Sequence, residues 1–344
     1  MLYLIPIEPY EERYSEQWYR WYMKECQALN IKFEMIDGDQ QTTTLENNQV
    51  VLSPVGTNIY KMSQLTKILY KIKNGDIKDG DKFYFFDGWF PGVSSIKYCV
   101  NMLGLDIEMY AFFHAGTYDK YDFTYQHNME SWGKHLENAW FDIYNKIFVA
   151  SEYHKNLLVE TRNIDASKIY VVGIPIYKEE YMADIIPGTI PNSENTIVFP
   201  HRLADEKQFE DFRFLEDYFI RKDKHWNFVV AKDVCNTKKD YYNLLYKAKV
   251  SFSSALQETF GIAMYESIAL KCCPVVPNRL SYVEYYPILY RYDSLFEAAT
   301  RIERHITYNN TYSDFNHEPT FEFNLKKFEF SIRNILYKIG VCNA

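Results

Sequence analysis

The chain has 344 residues, 47% of them hydrophobic and 18% aromatic, a length and composition that argue for a folded protein of two domains and exclude disorder. Its net charge of −8 excludes a broadly basic nucleic-acid binder, though not a local basic groove. The cysteines (Cys26, Cys99, Cys235, Cys272, Cys273 and Cys342) have no metal or redox spacing, and there is neither a cleavable apolar leader nor a run of eighteen apolar residues. The expectation is a cytoplasmic protein with reduced thiols and no membrane span.

The first half alternates strands and helices. Leu2 to Ile7 reads as a strand, and the loop PIEPYEERY leads into a helix from about Ser15 to Leu29. Further strands are expected at Ile31 to Ile36, Val50 to Leu52, Lys82 to Phe86, Ile107 to Phe113 and Lys146 to Ala150. Helices are expected at Ile59 to Lys73, at Trp132 to Tyr144 and from about Glu152. Such alternation means crossover units and a parallel sheet, and ligands of parallel sheets sit beyond the carboxyl ends of the strands. The loops after Ile7, Phe86 and Phe113 are therefore candidates. Asp87 opens one of them, where an Asp-Gly turn explains it equally well. His114 opens another, as either a ligand contact or a locally satisfied histidine.

Lys168 to Ile174 is a strand that runs into a Pro- and Gly-punctuated linker ending at Asn192 to Asn195. The alternation then restarts, with strands at Ile197 to Pro200 and Trp226 to Ala231, and helices at Phe209 to Arg221 and Tyr241 to Ala248. The stretch Ser251 to Pro277 follows. It reads as a strand over Val250 to Ser254, a tight loop, a helix to about Leu270 with Ile262, Tyr265, Ile268 and Ala269 buried, and a second strand. Asp293 to Thr307 and Phe321 to Ile339 are the last expected helices.

Two carboxylates flank the loop-to-helix junction. Glu258 falls on the loop, and Glu266, eight positions later, falls about one and a half turns into the helix, roughly 8 Å from its start. Gly261 permits close approach of a ligand to the backbone, and amides around Thr259, Phe260 and Gly261 can receive a phosphate. That spacing suits one acid at a sugar and one at a ribose with phosphates between. Arg202 and Lys207, in HRLADEK after the first strand of the second half, can stabilise charge growing on a departing phosphate; the alternative is a solvated polar loop.

The run Glu258-x-Phe260-Gly261, Glu266 and Pro274-Val275-Val276 resembles the signature of retaining glycosyltransferases of the GT-B fold. The glycine usual before the Pro-Val-Val run is replaced by Lys271-Cys272-Cys273. His201 stands for the glycine of that family's Gly-Arg-Leu…Lys element. The resemblance implies an α/β protein of two Rossmann-like, doubly wound domains facing across a cleft. It gives 1–175 as an acceptor domain, 176–325 as a nucleotide-sugar domain, and 326–344 as a helix returning to the first. It implies that Arg202 and Lys207 hold the donor diphosphate, Glu266 the ribose, and Glu258 the sugar hydroxyls with backbone help from Thr259, Phe260 and Gly261. It also puts His114 where the family often has a sugar-contacting histidine.

The expected activity is transfer of a sugar from a nucleotide-diphosphate donor, a UDP-sugar in preference, to a hydroxyl, with retention. No cofactor or metal is expected. Asp37-Gly38-Asp39 and Asp79-Gly80-Asp81 have the form of metal-holding pairs, but Asp-Gly turns explain them. Trp18, Tyr19, Trp21 and Tyr22 form a helical stripe that is either core or an aromatic platform for an acceptor. The opening IPIEPYEERYSEQWYRW also resembles that of glycosyltransferase-like proteins of tailed bacteriophages, over about twenty residues. This resemblance adds DNA bearing hydroxymethylated pyrimidines as an alternative acceptor, with Arg13, Arg20 and Lys24 toward phosphates. A nucleotide-sugar-binding protein without turnover is the alternative of another class.

Overall fold

The computed structural model describes residues 1–11, 13–39, 53–307 and 318–343. The chain divides into two compact units, Met1–Val172 with Ser331–Ala344, and Gly173–Phe330.

The first unit is built on the strands β1 (Leu2–Ile5), β2 (Phe33–Met35), β3 (Lys82–Phe85), β4 (Glu108–Phe112), β5 (Lys146–Val149) and β6 (Ile169–Val171), in the order β2-β1-β3-β4-β5-β6. Every neighbouring pair is parallel. Strands covered on both faces must be apolar throughout, and Phe83, Tyr84 and Phe85 of β3 are all buried. The expected strand at 50–52 lies outside the described residues.

Helix α1 (Tyr14–Ala28) carries the aromatic stripe, in which Tyr19 is only half-buried. Trp18, Trp21 and Tyr22 are buried, and Tyr22 shares a hydrogen bond of 2.8 Å with Tyr84 of β3. These rings are core, each worth about 3 kcal/mol of burial, and not an acceptor platform. Helix α2 (Pro54–Lys73) begins five residues before the expected Ile59. Ser53 accepts a hydrogen bond from the Gly56 amide and Pro54 occupies the first turn, a Ser-Pro start that the hydrophobic pattern alone hides. Helices α3 (Val93–Leu103), α4 (Phe123–Gln126), α5 (Glu130–Ile143) and α6 (Glu152–Arg162) complete the crossovers.

The second unit carries β7 (Glu194–Phe199), β8 (Asn227–Val230), β9 (Ala248–Phe252), β10 (Cys273–Pro277) and β11 (Arg291–Tyr292), again parallel, in the order β11-β10-β9-β7-β8. Phe199, Phe212, Val250, Phe252 and Val275 lie in its core. The segment expected to be an irregular linker contains a short helix, α7 (Lys178–Ala183), anchored by buried Tyr181 against Tyr242. Asn192 ties the linker's end to the Ala248 and Lys271 carbonyls at 2.9 and 2.8 Å. The remaining helices are α8 (Phe209–Arg221), α9 (Ala231–Val234), α10 (Lys238–Lys247), α11 (Ile262–Ala269), α12 (Tyr282–Tyr285) and α13 (Leu295–Thr307).

The expected helix from Phe321 to Ile339 is two helices, Pro319–Glu329 and Ser331–Ile339, broken at Phe330. No glycine or proline marks the break. The first helix packs Phe328 against Phe260 and Tyr265 in the second unit. The other belongs to the first unit, where Lys82 and Lys146 donate to its terminal Ile339 and Lys338 carbonyls at 2.8 and 2.5 Å. Cations at a helix C-terminus satisfy its orphan carbonyls and oppose its dipole.

Candidate functional site

In the second unit the chain order reverses beside β7, which pairs with β8 on one side and β9 on the other. An open parallel sheet has a crevice at such a switch point, beyond the carboxyl ends of the strands. The two segments singled out in the sequence emerge there: His201 to Lys207 follows β7, and Ser253 to Gly261 follows β9.

They are joined directly. The Lys207 ammonium, itself buried, donates to the Glu258 carboxylate at 3.1 Å and to the Gln257 carbonyl at 2.7 Å. The other Glu258 oxygen accepts the Gly261 amide at 3.1 Å, so this carboxylate both closes its turn and pairs with a cation. Gly261 has φ +92°, a left-handed backbone, and a Cβ there would stand 3.0 Å from the Tyr282 ring. Glycine fits on both counts. Because the Gly261 amide is taken by Glu258, the amides at the start of α11 that no intrahelical carbonyl can reach are those of Ile262 and Ala263, slightly further along than expected. Phe260 and Thr259 are buried, and the Phe260 ring stacks on Tyr265 at 5.1 Å.

Arg202 is already paired with a carboxylate. Its guanidinium forks onto one oxygen of Glu206, at 3.2 Å from Nε and 2.5 Å from Nη2. The Glu206 carbonyl in turn accepts the Leu256 amide, so Arg202 reaches the Glu258 loop through Glu206. A diphosphate that engages Arg202 must compete with this carboxylate. His201 is buried, and burial, then Lys207 and Arg202, push its pKa well below the usual histidine value. It is a neutral ring between cations.

Glu266 sits in α11, away from Glu258. It is buried, and the Lys238 ammonium approaches it at 3.3 Å. Lys238 opens α10, where Thr237 and Asp240 form a capping box. That Thr-x-x-Asp signal places the helix start three residues before the expected Tyr241, and Lys238 with it. The Tyr241 phenol has a strongly raised pKa, from burial first and then from the Glu266 charge. Arg279, another residue the sequence did not single out, donates to the Ser254 and Ala255 carbonyls at 2.6 and 3.0 Å and clamps the loop after β9. Nothing local in the sequence announces it. The turn that lacks the family's glycine is made by Lys271 itself, at φ +70°.

His114 and Asp87 lie in the first unit. The His114 ring contacts the Phe86 carbonyl through Nε2 at 2.8 Å, among Tyr14, Trp18 and Phe112. Burial lowers its pKa, against the pull of Asp87. Asp87 pairs with Lys61 at 2.8 Å and accepts the Trp89 amide at 3.1 Å. The two Asp-x-Asp pairs are engaged in local structure. Tyr19 donates to Asp37, Lys67 to Asp39, the Asp106 amide to Asp79, and the chain's first amine to Asp81. Among the described residues, no cluster of three or more histidine, cysteine or carboxylate groups is arranged to hold a metal ion. No described helix is long and apolar enough to cross a membrane.

No family model matches the chain. Solved structures share its fold along nearly the whole length. A glycosyltransferase from Rickettsia africae ESF-5 is 16% identical, with a TM-score of 0.64 over 98% of this chain and 97% of that one. Sucrose-phosphate synthase from Thermosynechococcus elongatus is 11% identical, with a TM-score of 0.70 over 98% of each chain. Anabaena HepE, solved in complex with UDP and glucose, is 9% identical, with a TM-score of 0.63 over 98% of each chain. The chain has the two parallel-sheet α/β units of the GT-B glycosyltransferase fold.

Proposed function

We propose that this protein is a glycosyltransferase that takes a sugar from a nucleotide-diphosphate donor, a UDP-sugar in preference, and delivers it to a hydroxyl with retention at the anomeric carbon. The observation that carries the reading is the contact of Lys207 with Glu258 at the switch point of the second sheet, beside the start of α11. A cation, a carboxylate and amides without an intrahelical acceptor lie there, which is what a sugar diphosphate requires.

In this reading Lys207 and the amides of Ile262 and Ala263 hold the diphosphate. Arg202 joins them by exchanging Glu206 for phosphate oxygens. Glu258 accepts hydrogen bonds from the sugar hydroxyls, with Thr259, Phe260 and Gly261 shaping the turn, and Glu266 accepts them from the ribose. His114 is assigned a hydrogen bond to the transferred sugar. The acceptor oxygen bonds to the anomeric carbon as the bond from that carbon to the β-phosphate oxygen breaks. The electron pair stays on the phosphate, which takes the acceptor's proton on the same face. Charge grows on the phosphate during this step, so fixed cations aid the transition state more than the ground state. We assign acceptor binding to the first unit and the donor to the second.

Mass spectrometry of donor mixtures incubated with sugar, lipid and modified-duplex acceptors tests the reading. Transfer by the wild-type protein, lost in Glu258→Ala, supports it; binding of UDP-sugars with neither transfer nor hydrolysis over the whole panel would instead indicate a binding protein. Modified DNA is one arm of that panel. Arg20, one of the cations assigned to its phosphates, is paired with Glu16 at 2.7 Å.

A further inference from the structure

The first unit contains a buried polar cluster that the sugar-transfer chemistry above does not use. Glu137 of α5 is fully buried. One of its oxygens accepts the Thr117 amide at 2.6 Å and the Trp89 indole N–H at 3.0 Å. The other accepts the Thr117 hydroxyl at 2.7 Å and the Arg162 Nε at 2.9 Å. Arg162, from α6, also donates to the Thr117 hydroxyl at 2.9 Å.

The donors come from separate loops. Trp89 lies in the loop after β3, two residues beyond Asp87. Thr117 lies in the loop after β4, three residues beyond His114. One carboxylate thus bridges the two loops at the carboxyl edge of this sheet that carry the unit's candidate ligand contacts. The loops are packed closely around it. A Cβ on Gly116 would fall 2.6 Å from the Glu137 oxygen, and one on Gly133 would fall 2.7 Å from the Thr117 methyl. A surface loop ordinarily needs no buried ion pair, and burying one is costly unless every oxygen is satisfied. Here the donors saturate both oxygens, and what the pair fixes is the spacing of two loops.

We propose that Glu137, charge-balanced by Arg162, is a positioning residue that sets the separation of the β3 and β4 loops and thereby the geometry of sugar transfer. It touches neither donor nor acceptor. The role rests on the transferase reading above, with a readout that does not need activity. A shift of about 1 Å in a positioned group costs on the order of 100-fold in rate, so loosening this bridge should affect turnover more than donor binding.

The experiment compares wild type, Glu137→Gln and the milder Thr117→Val, with Ile72→Val as a destabilised core control. Hydrogen exchange is read in residues 87–92 and 114–122, UDP affinity by calorimetry, and transfer by turnover. In Glu137→Gln both loops are expected to lose protection together, the UDP dissociation constant to stay within twofold of wild type, and kcat to fall ~10- to 100-fold. Thr117→Val should show the same pattern at a few-fold, and Ile72→Val should show none of it at a temperature where it is folded. If Glu137→Gln does not fold, Thr117→Val decides. Unchanged protection in either loop, or wild-type kcat in a folded variant, overturns the proposal. If wild type neither binds UDP nor transfers a sugar, the transferase reading falls, and coupled exchange of the loops then shows a bridge of structural meaning only, which overturns the positioning role too.

Discussion

The two units use the same βα alternation to build very different edges. At the carboxyl edge of the second sheet the candidate groups are ionic: Lys207 on Glu258, Arg202 on Glu206, Lys238 on Glu266. At the corresponding edge of the first sheet Asp87 pairs with Lys61, His114 lies among aromatic rings, and the buried ion pair of Glu137 and Arg162 stands behind the loops. The second edge gathers three ion pairs, whereas the first combines a single pair with a cluster of rings and, behind the loops, a buried carboxylate. The lesson is that an architecture repeated within one chain does not repeat its chemistry, because the loops, not the strands, carry the site.

Breaking the ionic edge should have the largest effect. Lys207→Ala is expected to cut transfer by at least ~100-fold, the scale of removing one preorganised charge stabiliser, and to weaken UDP binding. Glu258→Ala should cut transfer similarly. Near-normal turnover in either would remove its assigned role. Arg202 sharpens the comparison, because it is already paired. Glu206→Gln should release it and tighten UDP binding a few-fold at low salt, and Arg202→Ala should abolish that gain; calorimetry of the single and double variants measures the coupling.

Histidines in both units, His114 and His154 in the first and His201 in the second, have pKa values lowered by burial and tie stability to pH. His154 in the first unit has a pKa lowered to about 3, by burial first and then by His114. Its folded value lies below the unfolded value, so the unfolded chain binds the extra proton. The stability this group contributes is complete above the unfolded value of about 6.5 and is lost as pH falls from there toward about 3. Melting temperature should therefore drop below pH 6.5, and His154→Gln should flatten that slope; an unchanged slope would refute the assignment. The smallest effect concerns the turn after α11. Lys271→Gly relieves a left-handed non-glycine residue but loses the cation over the Tyr246 ring at 5.6 Å. A net gain of about 0.5 kcal/mol, read by denaturant melts, is expected.

The sequence by itself determined the parallel α/β class, the two-part organisation of strands and helices, and the placement of Glu258 on a loop and Glu266 on the helix that follows it. These depend on local patterns: apolar runs of strand length, helical spacing, and a glycine at a helix start. Local pattern misled where two signals overlapped. Ser53-Pro54 starts α2 before its hydrophobic stripe begins, and α10 starts at its Thr-x-x-Asp cap before Tyr241. Only the tertiary structure decided the rest. Lys207 reaches Glu258 across fifty-one positions because β7 and β9 are neighbours, and Lys238 reaches Glu266 across twenty-eight because α10 lies beside α11. The helix break at Phe330 follows from which unit each half packs into, with no breaker residue to announce it. Hydrogen bonds and ion pairs act over a few ångströms of space, and a chain brings such partners together only once its sheets have fixed which loops are adjacent.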